Sequence, residues 1–193
     1  MKNIIFDLGG VILKDKPISV LNNIDIDNDV YNELKVFFDN WDDLDLGEKR
    51  LLEKYNEFNF STDLYKDRLV NYFLYRDFNM DLINLLGVLK SKNYNLYVLS
   101  DNNFDAYDFY KSNELFKDID GWVMSCDYHT LKKDGVLFDI LIDKFSLNPS
   151  ECYFIDDRNV NIDEAFKRNI KGFVFNNNVD LLYEDMRSNG IDI

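Results

Sequence analysis

The chain has 193 residues, 46% of them hydrophobic, and a formal net charge of −14 from 36 acids and 22 bases. That content allows a full core, either one domain with an insertion or one and a half domains; the acidic balance argues against nucleic acid and anionic membrane, which need clustered Lys and Arg. There is no leader pattern and no apolar run long enough for a bilayer, and Cys126 and Cys152 lack CxxC or zinc spacing, so the expectation is a cytoplasmic protein with reduced thiols.

The first element is the apolar run Ile4-Ile5-Phe6, which suits a strand buried on both faces of a parallel sheet. It ends in Asp7, followed shortly by Gly9 and Gly10. A turn is expected around residues 14–17. From about residue 19 to 78 the periodicity is helical only. Val30, Leu34, Phe37, Phe38 and Trp41 form one stripe, Leu51, Leu52, Tyr55 and Phe58 a second, and Leu64, Leu69 and Phe73 a third. Ser61-Thr62-Asp63 suits the N-cap of the third. Asp42-Asp43-Leu44-Asp45 reads as a solvated turn before a helix starting near Gly47. Phe38 and Trp41 read as bundle core rather than as substrate contacts.

Beyond residue 79 helices and strands alternate. Helices are expected over about 80–92, 104–112, 136–145, 160–169 and 179–188, and strands over 96–99, 122–124, 152–155 and 172–175. This alternation predicts an α/β fold: a Rossmann-like parallel sheet with helices on both faces. The helical stretch becomes a small bundle inserted after the first strand, placed as a cap over the sheet's carboxyl edge. The expected division is a core of residues 1–15 and 79–193 with a cap of residues 16–78.

Parallel strands bring Asp7, Ser100-Asp101 and Asp156-Asp157 to one edge, where open α/β sheets bind ligands. Adjacent carboxylates repel unless a cation sits between them, and a hard, oxygen-seeking ion such as Mg²⁺ answers that need. Ser100 offers a hydroxyl to an anion, and Lys132, in the loop after the third strand, a positive charge. Nucleophilic carboxylate, metal, hydroxyl and lysine together suit phosphoryl transfer through an aspartyl-phosphate.

With those residues in place the chain resembles the haloacid dehalogenase superfamily of hydrolases over essentially its whole length. The four motifs stand as Phe6-Asp7-Leu8-Gly9-Gly10-Val11, Val98-Leu99-Ser100-Asp101, Lys132 with Leu137 and Phe138, and Phe154-Ile155-Asp156-Asp157 with Asn161 and Ala165. The first and fourth are similar in wording to the branch containing α-D-glucose-1-phosphatase and the phosphatase domain of soluble epoxide hydrolase. The resemblance implies a phosphatase of a small phosphorylated metabolite, with a sugar phosphate as one candidate. Asp7 would attack phosphorus. Mg²⁺ would be held by Asp7, the Gly9 carbonyl and Asp157, with Asp156 ligating or acting through water. Ser100, the N–H of Asp101 and Lys132 would hold the phosphoryl group, and Asn161 would brace the last motif.

The chain also departs from that pattern. Most phosphatases of the superfamily carry a second Asp two residues after the nucleophile, which protonates the leaving oxygen; here that position is Gly9. General acid–base help is worth roughly 10²–10⁴-fold, so slow turnover is expected unless another group substitutes. His129, the only histidine, is one candidate substitute, because its ordinary pKa lies near neutrality, although a solvent-facing loop histidine is the simpler reading. Asp101 stands where a neutral residue is usual. Lys133 replaces a common proline and rivals Lys132, which the spacing to the next helix favours. Two other readings follow from these departures: a non-catalytic member that binds a phosphometabolite or protein, and a metal-free 2-haloacid dehalogenase.

Overall fold

The structure is a computed structural model that describes residues 1–14, 21 and 25–193. Among these, five parallel strands form one sheet in the order β3-β2-β1-β4-β5. They are β1 (Asn3–Phe6), β2 (Asn95–Ser100), β3 (Gly121–Met124), β4 (Cys152–Asp156) and β5 (Lys171–Val174). Successive side chains on a strand point to opposite faces. Ile4, Phe6, Leu96, Val98, Tyr153 and Ile155 therefore pack on one face against α5 (Met80–Ser91), α6 (Phe104–Ser112) and α10 (Val179–Ser188). Ile5, Leu99, Val123 and Phe154 pack on the other against α8 (Val136–Phe145) and α9 (Asn159–Lys167). Burial on both faces is why the strands read as unbroken apolar runs.

The expected bounds of α6, α8 and α10 agree with the structure because their ends carry local signals. Asn103 and Asn178 accept hydrogen bonds from the N–H groups of Ala106 and Leu181, and Gly135 turns into α8 at φ +83°. Two one-turn helices, α2 (Asp42–Asp45) and α7 (Ser125–Tyr128), were not expected. Four residues are too few to show a period.

The insert between β1 and β2 has its own core. It comprises α1 (Asn28–Asp39), α2, α3 (Leu51–Glu57), α4 (Lys66–Val70) and a 3₁₀ turn at Tyr72–Tyr75. Val30, Leu34, Phe37, Leu44, Leu51, Tyr55, Leu69 and Tyr72 pack together there. The turn expected at 14–17 and the expected boundary between residues 15 and 16 lie largely outside the described residues. At the other end of the insert, Lys14 N–H donates to Asp77 O at 2.9 Å and Asn79 N–H to Ile12 O at 2.8 Å, so entry and exit lie side by side.

Three expectations for the insert are corrected. The third helix is only α4, and Leu64 is exposed. Its expected cap is engaged elsewhere: Ser61 donates to Glu33, Thr62 Oγ1 accepts from Leu64 N–H, and Asp63 accepts from Tyr55. No helix starts near Gly47, which holds φ +71°; α3 begins at Leu51. The acidic stretch 42–45 is a helical turn with Leu44 buried and Asp43 paired to the buried Lys54 at 2.7 Å. Among the described residues no helix is long and apolar enough to cross a membrane.

Candidate active site

Strand register builds the site. Phe6 lies beside Val98 and Ile155, so the next residue of β1's chain, Asp7, comes level with the ends of β2 and β4. Its N–H donates to Ile155 O at 2.9 Å. The Asp7 carboxylate is buried and held by three donors. Leu8 N–H and Ser100 Oγ each donate to Oδ1 at 2.7 Å, and the Lys132 ammonium lies 2.8 Å from Oδ2. Lys132 also donates to Asp156 Oδ2 at 2.5 Å. Asp156 is completed by the Arg158 N–H at 2.8 Å and by Asn161 Nδ2 at 3.0 and 3.1 Å. Asn161 Oδ1 is buried without a hydrogen-bond partner.

The electrostatics follow from burial. Burial pushes Asp7 up to about 7; the Lys132 charge pulls it down and Asp156 adds to the rise. Burial opposes the charge on Lys132, but Asp156, Asp7 and Asp101 outweigh it and hold the ammonium above the usual lysine range. Asp157, at the cavity wall, is raised by burial and then by Asp156. Cys126 is buried, and its thiol is pushed up to about 12, chiefly by burial, as suits a packing residue.

Carboxylate oxygens of Asp7, Asp156 and Asp157 all lie within 4.8 Å of one another. Lys132 is the ammonium between the first two. Three hard oxygen donors so close, with one lysine among them, suit a Mg²⁺ ion. Gly9 shares the same cavity, of 520 Å³, and a Cβ there would meet nothing within 4 Å. Gly10 is different: it holds φ +72°, and a Cβ would fall 2.5 Å from Asp157 Oδ2, so glycine there makes room for that carboxylate.

The structure brings Asp7, Ser100, Asp101, Lys132, Asp156, Asp157 and Asn161 to this one edge. Of the two rival lysines, Lys132 is buried and Lys133 exposed. Asp101 accepts the Lys132 N–H at 2.8 Å, which engages the carboxylate that looked out of place beside an anion site. His129 is not brought to the cavity. It adopts the left-handed conformation after α7, and its Nδ1 lies 2.7 Å from Leu46 O, at the seam between insert and core. Phe38 stacks on Trp41 at 5.3 Å. Trp41 packs in the insert's core, as expected, and also lines the cavity. Sequence reasoning missed Asp45, Tyr72, Arg76, Asn102 and Arg158 in the cavity wall. Only Arg158 carried a signal, its place directly after the Asp156-Asp157 pair.

Comparisons with known proteins point the same way. No match is found among curated protein sequences. Solved structures of like fold include a predicted HAD-like family hydrolase from Porphyromonas gingivalis, 20% identical, with TM-score 0.72 over 97% of this chain and 98% of that one. A HAD family enzyme from Bacteroides thetaiotaomicron, in complex with magnesium and inorganic phosphate, is 19% identical, with TM-score 0.71 over 91% and 94%. A HAD phosphatase from Thermococcus onnurineus is 18% identical, with TM-score 0.71 over 100% and 99%. The family model described as haloacid dehalogenase-like hydrolase matches residues 1–166, and the chain belongs to that family of hydrolases.

Proposed function

We propose that this hydrolase is a Mg²⁺-dependent phosphatase of a small, polar phosphate monoester, with a sugar phosphate as the candidate class, and that residues 16–78 form the cap that selects the leaving group. The observation that carries the reading is the Asp7–Lys132–Asp156 arrangement, with Asp157 beside it, opening on a cavity of 520 Å³. The magnesium and phosphate bound by the Bacteroides thetaiotaomicron enzyme support it. Asp7, Asp157 and the Gly9 carbonyl would hold Mg²⁺, with Asp156 beside them; when bound, the ion offsets negative charge at the reacting centre.

Three donors fix the Asp7 carboxylate, so it meets phosphorus in one orientation. Its attack forms an acyl phosphate and expels the alcohol. Water then hydrolyses that acyl phosphate and frees Asp7. The Lys132 ammonium and the Asp101 N–H face the charge that develops on the transferring group. Asn161 holds Asp156 in place through both carboxylate oxygens. Lys14, Arg76, Asn102 and Arg158 give the cavity wall a polar character that suits a hydroxylated leaving group.

The adjacent acids Asp156 and Asp157 weigh against the metal-free dehalogenase reading. The engagement of Asp101 by Lys132 removes one of the two features behind the non-catalytic reading. The test is hydrolysis of p-nitrophenyl phosphate with Mg²⁺ and with EDTA, beside Asp7→Asn. Turnover should need Mg²⁺ and fall at least ~10³-fold in the variant. Equal activity in Asp7→Asn, or chloride release from a 2-haloacid without Mg²⁺, would defeat the proposal.

A further inference from the structure

The reaction above leaves one proton without a donor. The alkoxide or phenoxide expelled by Asp7 needs it, and the position that carries a donor in most superfamily phosphatases is Gly9. We propose that Asp45, from α2 of the insert, protonates the leaving oxygen and then takes a proton from the attacking water. The inference rests on the phosphatase reading and assigns its missing residue.

Asp45 lines the same cavity as Asp7, Gly9 and Lys132. It lies outside the cluster of Asp7, Asp156 and Asp157. The chain from Asp45 to Gly47 is held to the core at three successive residues. Ser125 Oγ donates to the Asp45 carbonyl at 2.5 Å while accepting the Asn102 N–H at 2.9 Å. The next carbonyl, of Leu46, lies 2.7 Å from His129 Nδ1. Gly47 then turns at φ +71° so close to α7 that a Cβ would stand 2.4 Å from the Cys126 carbonyl. A few residues on, Arg50 pairs with Asp105 at 3.2 Å and Asp108 at 3.0 Å, and Leu51 N–H donates to Asp105 at 2.9 Å. This corner of the insert is therefore seated on the core, with Asp45 in the wall of the cavity that holds Asp7.

The side chain is half-buried, and its Oδ1 is enclosed with no hydrogen-bond donor. An ionised carboxylate without donors is costly to bury, whereas a neutral carboxyl is tolerated. The charged and titratable groups around it are Asp42 on its own helix, Asp7, Asp101 and Lys132 of the core, Cys126 of α7 and Tyr72 of the insert, and Arg76 lines the same cavity, while Asp43 on the same helix is paired to Lys54. Burial, then Asp101, Asp42 and Asp7, hold its carboxyl well above the usual range against the pull of Lys132. The protonated form that an acid catalyst needs is the one this setting favours.

The proton balance closes. Asp7 forms the new bond to phosphorus, the bond from phosphorus to the leaving oxygen breaks, and its electron pair takes the Asp45 proton to give the alcohol. Water then attacks phosphorus and gives a proton to the Asp45 carboxylate. The bond from phosphorus to the Asp7 oxygen breaks, which releases inorganic phosphate, and Asp45 is protonated again.

The experiment compares p-nitrophenyl phosphate, whose leaving group needs little acid, with phenyl phosphate of similar shape, whose leaving group needs more. Asp45→Asn should lose about 100-fold in kcat/KM on phenyl phosphate and less than about 10-fold on p-nitrophenyl phosphate. It should also release nitrophenolate as a burst, because the phosphoenzyme waits for its base. Equal losses on both substrates, or none on phenyl phosphate, would overturn the role of Asp45 and leave the phosphatase reading standing. Wild-type protein inert to both would overturn that reading and this one with it. If Asp45→Asn fails to fold, the wild type decides: kcat/KM should be nearly flat across aryl phosphates of rising leaving-group pKa, and a steep fall overturns the proposal.

Discussion

At the sheet's carboxyl edge one buried ammonium serves two buried carboxylates. Lys132 reaches both Asp7 and Asp156, and Asn161 and two backbone N–H groups complete the carboxylates. In the insert's corner the arrangement is reversed: the backbone of Asp45 is pinned, but its Oδ1 has no donor. A network of shared hydrogen bonds fixes the geometry of the nucleophile. A pinned residue with an unsatisfied carboxyl keeps its position and stays free to exchange a proton. Attack and proton transfer need those two different settings, and here they come from two separately packed bodies that meet at one cavity.

The bonded side breaks hardest when its cation goes. Lys132→Met leaves Asp7 and Asp156 buried together without their shared ammonium, and removing one partner of a buried pair costs about 3–5 kcal/mol. The loss depends on pH with a definite sign. Burial already raises Asp7 to about 7, and losing the Lys132 pull raises it further. An acid whose folded pKa exceeds its unfolded one contributes stability at low pH that is lost as pH rises. Urea unfolding in EDTA should show a larger deficit at pH 8 than at pH 5. A deficit below about 1 kcal/mol at pH 8 would mean that the network is not the tightly coupled unit it looks to be.

Loosening the other side should cost less in stability than in activity. Ser125 is buried and holds both the Asp45 carbonyl and the Asn102 N–H. Ser125→Ala leaves two polar groups short of a partner, at roughly 1–3 kcal/mol. If the clamp positions Asp45, kcat/KM on phenyl phosphate should fall more than on p-nitrophenyl phosphate. A uniform fall on both would make Ser125 a packing residue and no more.

The two regions also differed in how readable they were. The sheet edge was legible because each of its residues sits at a fixed offset from an apolar run: Asp7 after Ile4-Ile5-Phe6, Ser100 after Leu96–Leu99, Asp156 after Cys152–Ile155. Lys132 was legible by its spacing to α8. Asp45 was not, because Asp42-Asp43-Leu44-Asp45 looks like any acidic surface turn. What sets it apart is a contact with Ser125, 80 residues away in the chain, which no local pattern encodes. His129 shows the same limit: its place in the loop before Lys132 allowed a solvent-facing ring or a catalytic one, and no local pattern encodes the left-handed backbone that turns the exposed ring to Leu46. The short α4 shows the limit of periodicity itself. Its apolar positions carried a stripe, but the polar groups expected to cap it bond to α1, α3 and their own turn.

The mildest change tests whether the two regions supply one and the same proton. Gly9 has open space where a side chain would go, and its backbone is outside the left-handed region that favours glycine. Gly9→Asp should therefore change stability by no more than about 1 kcal/mol, the reduced freedom of the unfolded chain offsetting the added charge. In the wild-type background it should raise kcat/KM on phenyl phosphate by less than about 10-fold, because Asp45 already acts there. In the Asp45→Asn background the same substitution should restore at least about 10-fold, since a carboxyl again faces the leaving oxygen. The contrast between backgrounds is the informative quantity, because interacting residues show themselves by non-additivity in a double-mutant cycle. Equal, additive effects in the two backgrounds would show that positions 9 and 45 do different work, and that a seated corner with an unsatisfied carboxyl is not the counterpart of the missing aspartate.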